Sequence, residues 1–301
     1  MGGERWRCRG LSWGRGTPEL RWVRGAETRT SRLAPGREIG FRAVGVRHCA
    51  GARGHVCPLG AVVPGRSTGG QCPECARLDR AHSVAADTIA DDPRTFRVYL
   101  AWFGPGMAKV GITAEGRGTT RLLEQGAVVF CWLGRGPLMA ARRTEELLRA
   151  ALGVPDRVPY ARKRAVRPVL PAAADERAAE VVELYARAVS LPGWPEALER
   201  TGFEVVDHAR EFGLERTVQP RAVAGGPAVL RVVRELADGG GVAGRLVAAA
   251  GPDLHLGTDD GGVTVLDTRL MSGWELVAAD PGSVASVPVD ELPTGVQDGL
   301  F

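Results

Sequence analysis

The spacing of apolar residues changes along the chain and predicts strands at both ends with helices between them. Residues 1–47 contain short apolar runs interrupted by glycine and proline, which is typical of short strands. From about Thr95 the pattern predicts a strand, a turn and a strand, then a short helix, another strand and a helix over residues 137–153. Helical spacing returns over residues 173–190, and from Ala222 short apolar runs between Gly and Asp turns again predict strands.

These changes predict an α+β protein with four parts. We expect a β-rich unit over residues 1–93, a small sheet with helices over 94–170, a helical connector over 171–219, and a small β-barrel or sandwich over 220–301. With 301 residues, of which 44% are hydrophobic and 25% charged, the chain is long enough for two or three compact domains.

The helix predicted over residues 137–153 carries one unexpected carboxylate. At 100° per residue, an apolar stripe forms, and Glu145 falls near its edge. The neighbouring Glu146 lies on the opposite, solvated face. Carboxylates seldom face a core without a partner, so Glu145 is either a functional group or half of an internal ion pair with an arginine. The stripe consists of Leu138, Ala141, Leu148 and Leu152.

Charge is distributed unevenly. Residues 1–85 contain 15 basic and 6 acidic residues, whereas residues 171–301 contain 10 basic and 21 acidic residues. The first half is therefore a candidate for binding a polyanion such as a nucleic acid, although the two halves could instead attract each other or maintain solubility. The sequence has neither an apolar run of about 18 residues nor an N-terminal signal core, so we expect no membrane partner and a cytoplasmic location.

Four of the six cysteines lie close together in the sequence. Cys49 and Cys57 are separated by seven residues, and Cys72 and Cys75 form a C-x2-C pair that can bind one tetrahedral ion. Because a reducing cytosol disfavours disulfides, we expect a structural zinc ion that staples the N-terminal unit. The first pair is widely spaced, so His48 or His55 could replace one cysteine as a ligand.

The central unit resembles the GIY-YIG nuclease domain. The resemblance rests on the order of "VYL", "KVGIT", "RLLEQ" and a glutamate in a later helix, and it matches Tyr99, the Lys109–Gly111 segment, Arg121 and Glu145 to family positions. It implies that the first two motifs form adjacent strands and that Glu145 holds a divalent metal. The whole chain also resembles a bacterial family of unknown function that has a cysteine cluster before such a unit.

The resemblance implies a metal-dependent hydrolase of phosphodiesters. Tyr99 would position water, Arg121 would bind the phosphate and Glu145 would hold Mg²⁺ or Mn²⁺, with Lys109 assisting. The sequence departs from the family pattern, because Lys109 replaces a tyrosine and Gln125 stands where many members have histidine. Two alternatives therefore remain open: a nucleic-acid-binding module without catalysis, and a zinc-stapled scaffold for protein interactions.

Overall fold

The chain forms two compact units in the computed structural model, which describes residues 3–14, 16–81, 92–155, 157–216 and 229–292. Of the described residues, those from 3 to 81 and from 229 to 292 form the first unit, and those from 92 to 216 form the second.

Within the described residues, strands and α-helices are numbered in chain order. The strands are β1 (Trp6–Gly14), β2 (Thr17–Arg24), β3 (Glu27–Arg32), β4 (Glu38–Val44), β5 (Thr95–Trp102), β6 (Ala108–Ala114), β7 (Val129–Pro137), β8 (Glu199–Arg200), β9 (Val205–Asp207), β10 (Leu230–Val233), β11 (Gly241–Ala250), β12 (Asp253–Gly257), β13 (Val263–Asp267), β14 (Glu275–Ala278) and β15 (Val289–Leu292). The helices are α1 (Pro73–Ala81), α2 (Thr120–Gln125), α3 (Leu138–Leu152), α4 (Tyr160–Val166), α5 (Ala174–Ser190) and α6 (Ala209–Phe212).

The first unit is built on one ten-stranded sheet. Its strand order is β15-β10-β13-β12-β11-β4-β14-β1-β2-β3, and all pairs are antiparallel except β10 with β13. One face of this sheet is buried and the other is more exposed. On strand β4, for example, the buried residues Ile39, Phe41 and Ala43 alternate with more exposed neighbours. The sheet therefore unites the two ends of the chain in one core.

This sheet corrects the prediction of a C-terminal β-barrel or sandwich. Strand β11 pairs with β4, and β14 lies between β4 and β1, so N-terminal and C-terminal strands alternate within one sheet. No pairing among the described strands closes this sheet into a barrel. The grouping also differs from the predicted division into residues 1–93 and 220–301, whose boundary at 219/220 lies outside the described residues.

The second unit has a small antiparallel sheet with helices packed on it. The strand order is β6-β5-β7-β8, and β9 also pairs with β7. Strand β5 is central and almost wholly buried, because α3 and α5 pack against it. Trp102 at its end donates a hydrogen bond of 2.8 Å from Nε1 to Glu180 on α5. The mixed α+β character predicted from the sequence is confirmed.

The predicted apolar stripe on α3 is confirmed. All four stripe residues are buried, Glu145 is half-buried at the edge, and Glu146 is exposed. The helix ends at Leu152, and the next residue, Gly153, has a φ of 68°, the left-handed conformation that glycine adopts after helix C-termini. Helix α3 therefore holds Glu145 at the border between the core and solvent.

Candidate functional site

The four clustered cysteines meet at one point in the first unit. Their Sγ atoms all lie within 4.8 Å of one another, and all four side chains are buried. The Sγ atoms of Cys57 and Cys72 are 3.9 Å apart. Two thiolates bound to one tetrahedral zinc ion at about 2.3 Å would be about 3.8 Å apart. The donor set and its spacing therefore fit a structural zinc ion.

Backbone amides support the cysteine ligands. The amide of Cys72 donates to the Sγ of Cys49 at 3.1 Å, and the amide of Gly51 donates to the same sulfur at 3.4 Å. Helix α1 begins at Pro73, so one helical turn separates Cys72 from Cys75 and places both sulfurs on the same side. These amide donors stabilise negative charge on sulfur, which a metal-bound thiolate carries.

Gly51 is required by the close approach of two chain segments. Its φ is +79°, and a Cβ atom at this position would lie 1.8 Å from the carbonyl oxygen of His55. A side chain would therefore force apart the loop that brings Cys49 and Cys57 together. The wide spacing of this first cysteine pair is accommodated by a turn that doubles back at Gly51.

Neither histidine near the cluster belongs to it. The group of potential ligands in the described residues consists of the four cysteines alone. The Nδ1 atom of His48 lies 3.0 Å from the carbonyl oxygen of Gly60, and His55 is exposed. Four cysteines leave no ligand position for water or substrate, which is typical of a structural site.

The thiols have opposing electrostatic environments. Amide donors from Ala61 and Leu59 lower the pKa of Cys57 to about 7. Burial and the neighbouring sulfurs raise the pKa of Cys75 well above its usual range. Four thiolates so close together repel one another, and a divalent cation removes that repulsion.

Arg47 connects the loops between Cys49 and Cys72, here called the metal loops, to the segment between β13 and β14. Its side chain is fully buried and donates hydrogen bonds of 2.6–2.8 Å to four backbone carbonyl oxygens. Burial lowers the pKa of Arg47 to about 10, so the side chain stays charged at neutral pH. The carbonyl groups belong to Pro64, Ser67, Arg269 and Ser272.

The second unit places the other four predicted site residues on successive elements. Tyr99 lies on β5, Lys109 on β6, Arg121 on α2 and Glu145 on α3. Strands β5 and β6 are adjacent and antiparallel, with Tyr99 directly opposite Gly111. This is the order of elements that the resemblance implied, while the roles of the four side chains stay predictions.

Tyr99 is buried on the central strand of the second unit. Its side chain is 2% exposed, and its hydroxyl accepts a hydrogen bond of 2.8 Å from Nε2 of Gln125. Trp132 on the neighbouring strand contacts its ring edge-to-face. Burial raises the pKa of Tyr99, and Arg121, Glu145 and Arg117 all act on it electrostatically. The hydroxyl is therefore neutral at pH 7 and keeps its proton for donation.

The other three predicted residues lie near Tyr99, and their side chains are more exposed to solvent than that of Tyr99. The Nζ atom of Lys109 lies 5.9 Å from the centre of the Tyr99 ring. Arg121 is partly exposed and lies 3.5 Å from a carboxylate oxygen of Glu124. Glu145 is half-buried on α3, which packs against β5 and β6. The structure thus gathers a hydroxyl, two cations and a carboxylate in one region of the second unit.

Two polar residues at this site were not given roles from the sequence. Gln125 holds the Tyr99 hydroxyl, and the buried Lys163 donates to the Gln125 carbonyl oxygen at 2.9 Å. The sequence did contain a signal, because Lys109 and Lys163 are the only lysines among 39 basic residues. Both lysines lie beside the Tyr99–Gln125 pair.

Gly111 makes room for Tyr99, and this can be tested. A Cβ atom at Gly111 would lie 2.4 Å from the Tyr99 hydroxyl oxygen, so Gly111→Ala should displace the ring and destabilise the protein by about 1–3 kcal/mol. Gly116→Ala is the control, because a Cβ atom there meets nothing within 4 Å. Urea unfolding measures both variants, and equal stability would contradict the close packing of Tyr99 on Gly111.

The comparisons with known proteins identify a family but no activity. A family model described as a protein of unknown function matches residues 36–276, a range that includes all four cysteines and the residues around Tyr99. No curated protein and no solved structure matches the chain. Among the described helices, none combines the length and apolar character needed to cross a membrane.

Proposed function

Since this chain belongs to the DUF2797 family, whose function is unknown, we propose a function from its two sites. The protein is a zinc-containing nucleic-acid-binding protein whose second unit is a divergent GIY-YIG-like hydrolase of phosphodiesters. The observation that carries this proposal is the buried Tyr99 hydroxyl, held by Gln125 opposite Gly111, with Arg121 and Glu145 acting on it electrostatically.

Each side chain has a role that suits its environment. The neutral Tyr99 hydroxyl accepts from Gln125 and donates its own proton, so it orients a water molecule rather than acting as a phenolate base. Arg121 is exposed enough to bind a phosphate oxygen, and Lys109 adds a second cation. These groups compensate the negative charge that develops on the phosphate.

Glu145 would hold the divalent metal at this site. Mg²⁺ retains several waters and needs few carboxylates, so one half-buried carboxylate at the border of the core suits it. When bound, Mg²⁺ or Mn²⁺ supplies a Lewis acid for the phosphate and the leaving oxygen.

The first unit supplies a zinc-stapled scaffold with many arginines. The four cysteines hold a structural Zn²⁺, and residues 1–85 carry 15 arginines against 6 acidic residues. Binding through these cations predicts an affinity for nucleic acid that falls as salt rises. Free thiolate ligands suit a reducing compartment such as the cytoplasm.

The substitution at Lys109 favours a second candidate function. A lysine replaces the tyrosine that the second motif normally carries, and it cannot handle protons in the same way without a large pKa change. In this alternative the unit binds nucleic acid without cleaving it. Mg²⁺-dependent cleavage separates the two functions.

Glu145→Gln is expected to reduce cleavage by about 10²–10³-fold. The purified protein is incubated with plasmid, branched DNA and RNA, with and without Mg²⁺ or Mn²⁺. Glu146→Gln is the matched control, because Glu146 is the adjacent residue on the same helix and is exposed. Its cleavage rate should equal that of the unmodified protein.

Three other results would redirect the proposal. Cleavage that is equally fast in Glu145→Gln would refute the metal-ligand role of Glu145. Salt-sensitive binding without cleavage in any metal would select the non-catalytic module. A complete lack of binding would favour a scaffold for protein interactions.

A further inference from the structure

A cavity lies at one end of the β5–β6 strand pair. It is open to solvent, and its volume is about 490 Å³. The six lining residues come from the start of β5, the end of β6 and the short 3-10 helix Glu115–Arg117 that follows. They are Arg94, Thr95, Ala114, Glu115, Gly116 and Arg117.

The cavity continues a row of side chains that includes Tyr99. Alternate residues share one face of a strand, so Thr95, Arg97 and Tyr99 follow one another along β5. Across the pair, Thr113 lies opposite Arg97 and Gly111 lies opposite Tyr99. At about 3.3 Å per residue, Thr95 at the cavity is about 13 Å from Tyr99 along the strand.

Thr113 has a hydrogen-bonding group that the fold does not use. Its side chain is 3% exposed, and its Oγ1 atom has no hydrogen-bond partner. A buried hydroxyl without a partner is costly and suggests a missing ligand or water. Thr113 lies opposite Arg97 in the strand pair, on the row of side chains that includes Tyr99.

Arg117 joins the cavity to the site around Tyr99. It lines the cavity, acts electrostatically on the Tyr99 hydroxyl, and shares the carboxylate of Glu124 with Arg121. Its nitrogen lies 2.7 Å from Glu124, whereas that of Arg121 lies 3.5 Å away. Two guanidinium groups on one carboxylate leave an excess positive charge.

The other arginines around the cavity are balanced by carboxylates. Arg94 pairs with Asp92. Arg97 and Arg135 share Glu115, and Arg135 also contacts Glu199 at 2.8 Å. The excess charge is therefore located at Arg117, which lines the cavity, and at Arg121, which acts electrostatically on Tyr99.

We propose that this cavity binds a nucleotide of a polynucleotide chain next to the phosphodiester at Tyr99, and that Arg117 binds its phosphate. This subsite rests on the proposed function, since it extends the same substrate along the strand pair. Arg117 and Arg121 hold neighbouring phosphates, and Glu124 orients both guanidinium groups before the substrate arrives.

Arg117→Gln should weaken binding of a short fluorescent single-stranded DNA by about tenfold. Anisotropy titrations at several salt concentrations, without added Mg²⁺ or Mn²⁺, should show that the slope of log affinity against log salt falls by about 0.7. The control is Arg187→Gln, because Arg187 is exposed on α5 and lines no part of the cavity. This control should keep the affinity and the slope of the unmodified protein.

Gly116→Leu tests the cavity without changing charge. Gly116 lines the cavity and has open space around the position of a Cβ atom, so the leucine can be accommodated in the folded protein. The added side chain should reduce the affinity for the same DNA by about tenfold and leave the salt slope unchanged. Thermal melting checks that both variants are folded.

The outcomes separate the subsite from the proposed function. If the unmodified protein binds DNA and both variants bind it equally well with the same salt slope, the subsite is wrong and the proposed function stands. If the unmodified protein binds neither DNA nor RNA, both proposals fail. Loss of affinity in both variants, with the slope changed only in Arg117→Gln, supports the subsite.

Discussion

Cys72→Ser is expected to abolish zinc binding and to unfold the metal loops of the first unit. The local core around the four cysteines contains only one other buried apolar side chain among the described residues, Val63, with Ala52 and Ala61 packed against it. Val56 and Leu59 beside Cys57 are exposed and add little burial. We therefore expect a zinc ion bound by the four cysteines to supply most of the free energy that folds these loops, about 10 kcal/mol or more for structural zinc.

Metal analysis and thermal melting measure this effect. The unmodified protein should contain about one zinc per chain, and Cys72→Ser or chelation should lower the melting temperature by more than about 10 °C. Cys8→Ala is the matched control, since Cys8 is buried in the same unit but lies outside the metal group. Its zinc content should be unchanged. A Cys72→Ser protein that melts like the unmodified one would refute a structural role for the metal.

The local elements of the fold could be predicted, but the long-range pairing of strands could not. The stripe on α3 and the β5–β6 hairpin follow from spacing over a few residues, and both are present. The pairing of Trp6 with Leu276 joins segments that are far apart in sequence. The alternation of apolar and polar residues shows that a strand has one buried face, but it does not show which strand pairs with it. The predicted barrel failed for this reason.

The group of four cysteines was easier to predict from the sequence than the hydrogen bonds of Arg47 that hold the loops around it. The C-x2-C pair predicts two sulfurs presented to one ion, and Cys49 and Cys57 nearby in the sequence predict the other two; the structure brings all four together. Only the structure could place His48 and His55 outside the group. Arg47 was not recognised, because one arginine among many in an arginine-rich chain has no distinctive pattern, and its role depends on carbonyl groups from distant loops.

Arg47→Met is expected to destabilise the first unit by about 3–5 kcal/mol. The methionine can fill the buried space, but the four carbonyl oxygens that Arg47 binds would lose their donors inside the protein. Two of these carbonyls lie in the segment between the cysteine pairs, at Pro64 and Ser67. The variant should therefore lose zinc to a competing chelator faster than the unmodified protein does.

Arg42→Met separates the buried hydrogen bonds of Arg47 from a general loss of positive charge. Arg42 lies on β4 in the same unit and is exposed, so its replacement should change the free energy of unfolding by less than about 0.5 kcal/mol. Arg47→Lys should also be destabilised, because one ammonium group cannot reach carbonyls on both sides as the guanidinium fork does. Urea unfolding and zinc-release rates measure all three variants. If Arg47→Met and Arg42→Met behave alike, Arg47 does not hold the metal loops to the segment between β13 and β14.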